Sequence, residues 1–474
     1  MQAYTAAKVD SRTTTGRRPD FETVQIYARK AGMLVVNAVE SIERGDGEEK
    51  AGNGKDVDTL DLCDGNREFV TAETARELFE PIINSASKSA VRKIRLSTKS
   101  FGVEAAKVAA DAFAACKDTL VDLDLSDVIA GRPEDEAMKA LKCLCDAVAP
   151  LKLAALNLSD NALGEKGIVA CSTALTTQNT LRKISFRNIG CSVAACKAIA
   201  NLLSSRPTLE TLHLYNNMSD DEGAFAIAGL IEACPKIQDF MMVSSRVKQM
   251  GGQRLAKALV GKNLISLDLH DNILGAETAG ALAECLKNQP TLKHLNLSEA
   301  CLEDEGVSLL AAALMQAAPA LESLGLAAND ITPESCPGLA RCLATKSALR
   351  ALDLKENELG DRGALLLASV ISSKPSLETL DLYQNEISRA GAVGIIKSIL
   401  GTKTITKVDL NANYIPGDCV EEIISVAKQA FPGREVLADF DENEEDMGDE
   451  DDPEELQAFT QSFVDDLAAS FSNL

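Results

Sequence analysis

A chain of 474 residues with 46% hydrophobic content has ample material for a core, and 4% aromatic content with no Trp points to one filled by Leu, Ile, Val and Ala. The net charge of −23, of which −12 lies between Asp439 and Glu455 and −11 on the rest, argues against nucleic acid and favours a basic protein partner steered in electrostatically. The 13 Cys are an odd number, scattered without a C-x-x-C pair, and are expected as reduced, buried thiols, which excludes a disulfide framework and gives no zinc site.

The opening MQAYTAAKVDSRTTTGRRPD lacks the apolar segment of a secretory signal, and no later stretch approaches the roughly 18 uninterrupted apolar residues of a membrane span. Phe21 to Arg44 has Val24, Ala28, Ala31, Val35 and Val39 at helical spacing, so an amphipathic helix is expected there. Gly45 to Lys55, GDGEEKAGNGK, has the composition of a flexible linker. Residues 1–57 are thus a polar segment, a candidate helix and a linker.

From residue 58 a repeat takes over. LETLDLYQN, Leu377 to Asn385, has the form L-x-x-L-x-L-x-x-N, and near-copies recur. The second leucine of the phrase falls at Leu60, Ile94, Leu123, Leu156, Ile184, Leu212, Phe240, Leu267, Leu295, Leu324, Leu352, Leu380 and Val408. Eight of the last nine gaps are 28 or 29 residues, whereas the gaps after Leu60 and Leu123 are 34 and 33. Length alone would suggest about three domains. A period of this size overrules that and predicts an α/β leucine-rich-repeat solenoid over 58–431, a ribonuclease-inhibitor-like horseshoe. Its short parallel strands form the concave face and its helices the convex face. In the repeat from Leu264, Ala279, Leu282 and Leu286 lie on one helix face. Neither half of a repeat buries itself alone, so stacking closes the core.

The Asn that ends the phrase is expected to be a buried bend residue that satisfies unpaired backbone groups. Asn161, Asn217, Asn272, Asn329, Asn357, Asn385 and Asn413 fill this slot. The long gap after Leu123 contains VIAGRPEDE, Val128 to Glu136, whose turn-like Ala130-Gly-Arg-Pro133 predicts an enlarged loop and a helix starting near Pro133. Such insertions cluster on one face of a solenoid, often the binding face. In LRKISFRNIGCS the slot is taken by Ile189, and the Asn stands one place earlier at Asn188, where its side chain is expected to be free. The same column holds Asp127, Asp160, Asn216, Asp271 and Glu299, along the rim where strands turn into loops. Strands stack about 4.8 Å apart, so roughly 10 Å of rim separates Asn188 from the Arg132 loop, and one partner could cover both.

His213, His270 and His294 have no carboxylate or Cys set completing a metal or triad constellation, and surface histidines are expected. No G-x-x-x-x-G-K-S/T, G-x-G-x-x-G or G-x-S-x-G motif indicates nucleotide binding or covalent catalysis. After the repeats, 432–455 is expected as an acidic tail with too little apolar content to fold alone. Asp452-Pro-Glu-Glu455 has the form of a helix start, and Leu456, Phe459, Phe463, Leu467 and Phe471 follow as the stripe of an amphipathic helix over 456–474. That stripe is expected to pack on the solenoid or, failing that, to bind a partner.

The run DLSDVIAGRPEDEA, then LNLSDNALGEKG and FRNIG, resembles the Ran GTPase-activating protein family. NNMSDDEGA, SFGVEAAKVAA and the acidic run after the repeats extend the likeness over roughly residues 65–455. The resemblance implies a regulator that binds GTP-loaded Ran, together with a Ran-binding protein in some complexes, and accelerates its GTP hydrolysis in support of nucleocytoplasmic transport. In this family no arginine finger enters the nucleotide site; a rim Asn, matching Asn188, helps position Ran's own catalytic Gln. Arg132 matches a supporting contact, with Asp127, Asp160, Asn216 and Asp271 as further partner-binding candidates. The chain is then not a hydrolase itself and binds no cofactor, GTP and Mg2+ being carried by Ran. The chain has no Trp, so it does not carry the Trp-Pro-Pro targeting tract of some members, and the large C-terminal domain of others is not expected. A monomer in the cytoplasm or the perinuclear region is the expectation. The competing expectation is a non-catalytic scaffold or inhibitor that grips a basic ligand through His213, Asp268, Asn296, Asp353, Asp381 and Asp409, the outward strand residues. Fold alone does not separate the two.

Overall fold

The recurring leucines dictate the architecture of the computed structural model, which describes residues 58–83, 91–204, 206–444 and 453–472. The expected helix at Phe21 to Arg44, the linker at Gly45 to Lys55 and residues 445–452 of the acidic run lie outside these. Within the unit Val57–Leu474, 13 strands from Thr59–Asp61 to Lys407–Asp409 form one sheet in sequence order. Every pairing is parallel, and every marker residue pairs with the next, from Leu60 on Ile94 to Leu380 on Val408. Most strands are three residues long, but Lys183–Arg187, Thr211–Tyr215 and Asp239–Val243 have five. Pairing therefore reaches further toward the loops around Asn188.

Between strands the chain returns through helices that pack on their neighbours in order, such as Val193–Leu203, Asp220–Ala233 and Gln249–Leu259. Ala279, Leu282 and Leu286 are fully buried, as their helical spacing requires. The core between the strand and helix layers is one continuous cluster of such residues.

Two polar columns tie successive repeats together. The first is the slot Asn. All seven are buried, and each Nδ2 donates to a carbonyl of the preceding repeat: Leu125, Phe186, Met242, Leu297, Leu326, Leu354 and Leu382 in turn. In six of them Oδ1 accepts from a loop N–H of that repeat, as Asn217 does from Cys191. The second column lies at the helix C-termini, whose last carbonyls have no partner within the helix. Gln178 donates there to Val148, Arg206 to Leu175, Lys262 to Cys234, Lys346 to Leu314 and Ala317, and Lys374 to Ala344.

The segment expected to begin an acidic tail at residue 432 instead continues the stack. Val408 donates to the Val436 carbonyl, Ala438 donates back to Val408, and Asn443 exchanges hydrogen bonds with the Ile415 backbone as a slot Asn would. Apolar Val436 and Leu437 pack on the core, which is why this part orders despite its charge. The helix Pro453–Ser472 packs against Gly360–Ile371, with Leu456 and Phe463 buried and Arg341 over the Phe463 ring at 5.2 Å.

Candidate functional site

The loop after each strand needs one residue in the left-handed region to turn the chain. It is the residue before the Asn slot in repeat after repeat: Asp127, Asp160, Asn188, Asn216, Ser244, Asp271, Glu299, Ala328, Glu356, Gln384 and Ala412, with φ between 46° and 58°. Asn and Asp tolerate this conformation best among residues with a Cβ. Ala328, Glu356, Gln384 and Ala412 adopt it too, so the backbone does not demand Asn at 188.

Register runs through Asn188 without a shift. Ile189 occupies the slot, fully buried in the core, and its carbonyl accepts from Leu163 and Gly164. The Leu158 carbonyl, which an Asn at 189 would have taken, is held by Asn161 at 3.1 Å. The Asn188 side chain is exposed, but the expectation that it is free needs correcting. Its Nδ2 donates to Asp160 Oδ1 at 3.2 Å, and its Oδ1 accepts from Asn216 Nδ2 at 3.0 Å. The three residues form a hydrogen-bonded row along the rim because parallel stacking brings the same column of adjacent repeats together. The backbone sets the spacing, with Asp160 N–H donating to Arg187 and Asn188 N–H to Tyr215.

Partial burial pushes the Asp160 carboxyl above the usual carboxylate range; the Asn188 hydrogen bond opposes this, Asp127 adds to it, and Arg187 opposes it. Arg187 lies over the Tyr215 ring at 5.6 Å. This cation and aromatic pair stands beside Asn188 and was not among the sequence candidates. The signal was present, since Arg187 and Tyr215 immediately precede Asn188 and Asn216 and share one outward column.

The other candidates are turned differently. Asp127 is buried and held by both oxygens to Arg67 Nη2 at 2.9 Å. Arg132 lies in the enlarged loop, and the helix does begin directly after Pro133, at Glu134. Its side chain is only 14% exposed and faces inward. It donates to the Ser100 and Val70 carbonyls, to Ser100 Oγ and to Glu136, and covers the Phe69 ring at 5.0 Å. The anchor is a second, two-stranded parallel sheet of Glu68–Val70 and Lys99–Phe101, to which the loop is tied by Phe101 N–H on Val128 and Ser100 Oγ on Ala130. Gly131 sits there at φ 75°, where a Cβ would come within 2.9 Å of Phe69. Arg132 thus clamps the loop to the first repeats. Asp271 is exposed further along the rim, beyond Ser244, and belongs to no hydrogen-bonded row with Asn216. Nothing in the sequence pointed to Arg67 or Phe69, which reach the site from some 60 residues away in the chain.

Two of the histidines expected at the surface are shielded. His213 is 7% exposed with Nε2 3.0 Å from Asp239. His270 is held by Asp268 at 2.8 Å and Asn296 at 3.1 Å. Outward columns of a closely stacked sheet cover one another. Among the described residues no three His, Cys, Asp or Glu side chains converge on a metal site, and no helix is long and apolar enough to cross a membrane.

A leucine-rich-repeat family model matches residues 288–311 and 346–368. RAN GTPase-activating protein 1 of Arabidopsis thaliana is 39% identical over 161 residues, 34% of this chain and 30% of that one. RAN GTPase-activating protein 2 of the same plant is 37% identical over 179 residues, covering 35% and 32%. The mouse ribonuclease inhibitor is 27% identical over 183 residues, covering 38% and 34%. The matched stretch is about a third of the length of each of these relatives.

Proposed function

We propose that this chain, a leucine-rich-repeat member of the Ran GTPase-activating protein family, accelerates GTP hydrolysis by Ran through the exposed amide of Asn188. The observation that carries this reading is that amide, held at a fixed place on the rim in a chain similar to Ran GTPase-activating proteins. A small GTPase holds its nucleotide and Mg2+ itself, and hydrolysis waits on correct placement of the attacking water by the GTPase's own Gln. An amide side chain can donate to and accept from that Gln at once, which fixes the Gln without adding a charge. Arginine fingers are worth about 10³–10⁵ in rate. Here a comparable gain comes from ordering the partner's residues and excluding water. Arg132, turned inward onto Ser100 and Val70, supports a route without a finger from this loop.

Asp160 and Asn216 border the contact, and Arg187 on Tyr215 gives it a cation. The chain works as a cytoplasmic monomer on GTP-bound Ran, alone or with a Ran-binding protein, and so serves nucleocytoplasmic transport. Asn188→Ala is expected to lower the stimulated single-turnover rate by about 100-fold or more, to change half-saturation only a few-fold, and to leave thermal unfolding unchanged because the side chain is exposed. Full stimulation by that variant would remove Asn188 from its role.

A second reading, a scaffold for a basic ligand, is favoured by one observation. Asp353, Asp381 and Asp409 stand in register on neighbouring strands. Charge-neutral variants at these positions are expected to leave stimulation of Ran intact; a parallel loss of Ran binding would favour the scaffold.

A further inference from the structure

We infer that Asp160 is a positioning residue that polarises the rim row, forcing one orientation on the Asn188 amide, and that Asn216 completes that orientation. This rests on the activator reading and deepens it. An Asn side chain has two nearly isosteric ends, one donating and one accepting, and an exposed one turns over freely. Two neighbours of the same amide type would leave Asn188 either way round. Asp160 breaks the symmetry. As a carboxylate it only accepts, so Asn188 presents its NH2 to it. Asn188 Oδ1 then faces Asn216, which answers with its own NH2. One charge at the end of the row thus sets the direction of two amides in sequence, each bond polarising the next.

The consequence concerns what is left over. Asn188 uses one N–H on Asp160 and one lone pair on Asn216. Its second N–H and second lone pair stay on the exposed side in a fixed order. A partner Gln meeting this amide is offered donor and acceptor at set positions and is itself turned one way. The row is pH-dependent for the same reason. Protonated Asp160 carries an O–H donor, and the Asn188 amide then has no compulsory orientation. The groups facing Asp160 are Asn188, Asp127, Arg187 and Asp124. Burial and the two neighbouring carboxylates favour the proton, while Asn188 and Arg187 favour the charge. The net displacement is upward, so orientation fails above the pH at which an ordinary Asp would protonate.

The test has two arms. In single-turnover hydrolysis by GTP-loaded Ran, Asp160→Asn is expected to lower the maximal stimulated rate roughly tenfold, an orientation effect, with half-saturation moved less than threefold, and Asp160→Glu to restore most of the rate. Asn216→Asp should be worse than Asn216→Ala, because a second carboxylate facing Asn188 Oδ1 opposes the orientation while Ala only stops supporting it. In the second arm, the side-chain 15NH2 resonances of Asn188 in the free full-length chain are followed from pH 7 to 4. They should titrate with one carboxylate in the wild type and stay flat in Asp160→Asn. A wild-type rate in Asp160→Asn, with Asn188→Ala inactive, would overturn the positioning role alone. An active Asn188→Ala would overturn the activator reading instead, and the resonance arm would still decide the polarity. Resonances that do not titrate in the wild type would refute it.

Discussion

Asn188 and Asp381 show how a polar side chain takes its role from the column it stands in. Asn188 stands in the rim column, where left-handed backbone recurs from repeat to repeat and its side chain reaches solvent. Asp381 stands on the strand face between two other aspartates, and burial, then Asp353, holds its carboxyl up at about 6. Its folded value lies above the unfolded one of about 3.9, so the fold binds that proton more tightly. The stability this contributes is present below about pH 4 and is lost as pH rises through 6. Denaturant unfolding of the wild type relative to Asp381→Asn should therefore worsen from pH 4 to 7 and level off above; a difference that grows in the opposite direction would show that the Tyr383 backbone hydrogen bond and nearby Lys355, which favour the charged form, outweigh the burial. The site was only partly legible at this scale. The Asn188 position followed from counting along the repeat. The Arg67 clamp on Asp127 and the inward turn of Arg132 did not, because they depend on the first repeats folding against an inserted loop. The shielding of His213 came from neighbouring strands, which a single-strand pattern does not register.

At the scale of elements, legibility followed burial. All the marker residues emerged as the second residue of their strands, since an apolar residue turned inward at each turn of the solenoid is what closes the core. The lengths of three strands near Asn188 were not legible, because Phe186, Leu214 and Met242 extend the alternation in the same pattern as any loop-entry residue. The C-terminal helix also follows its apolar stripe. Phe463 is 6% exposed and lies under Arg341. Phe463→Ala should cost about 3 kcal/mol of local docking, seen as faster amide exchange over 453–472 with the strands unchanged. Exchange that is equal in the variant would mean that Leu456 and the stacking of Arg362 over the Phe459 ring, at 5.8 Å, hold the helix without it.

At the scale of the molecule, charge and repeat stacking act separately. The acidic run is not uniform. Asp439 accepts from Asn411 and Glu442 from Tyr383, so these belong to the end of the stack. The carboxylates from 445 to 452 are the ones to neutralise when testing steering. Replacing them with Asn and Gln should slow association with Ran at low salt, and the difference should vanish near 1 M salt, where the screening length is about 3 Å. An association rate indifferent to both changes would remove steering from the account. The proposed meeting of the whole rim with a GTPase is read out by single-turnover hydrolysis of GTP by Ran with and without this chain. A large, saturable acceleration that Asn188→Ala abolishes is expected; hydrolysis at the intrinsic rate in the presence of saturating wild-type chain would rule out the proposed activation.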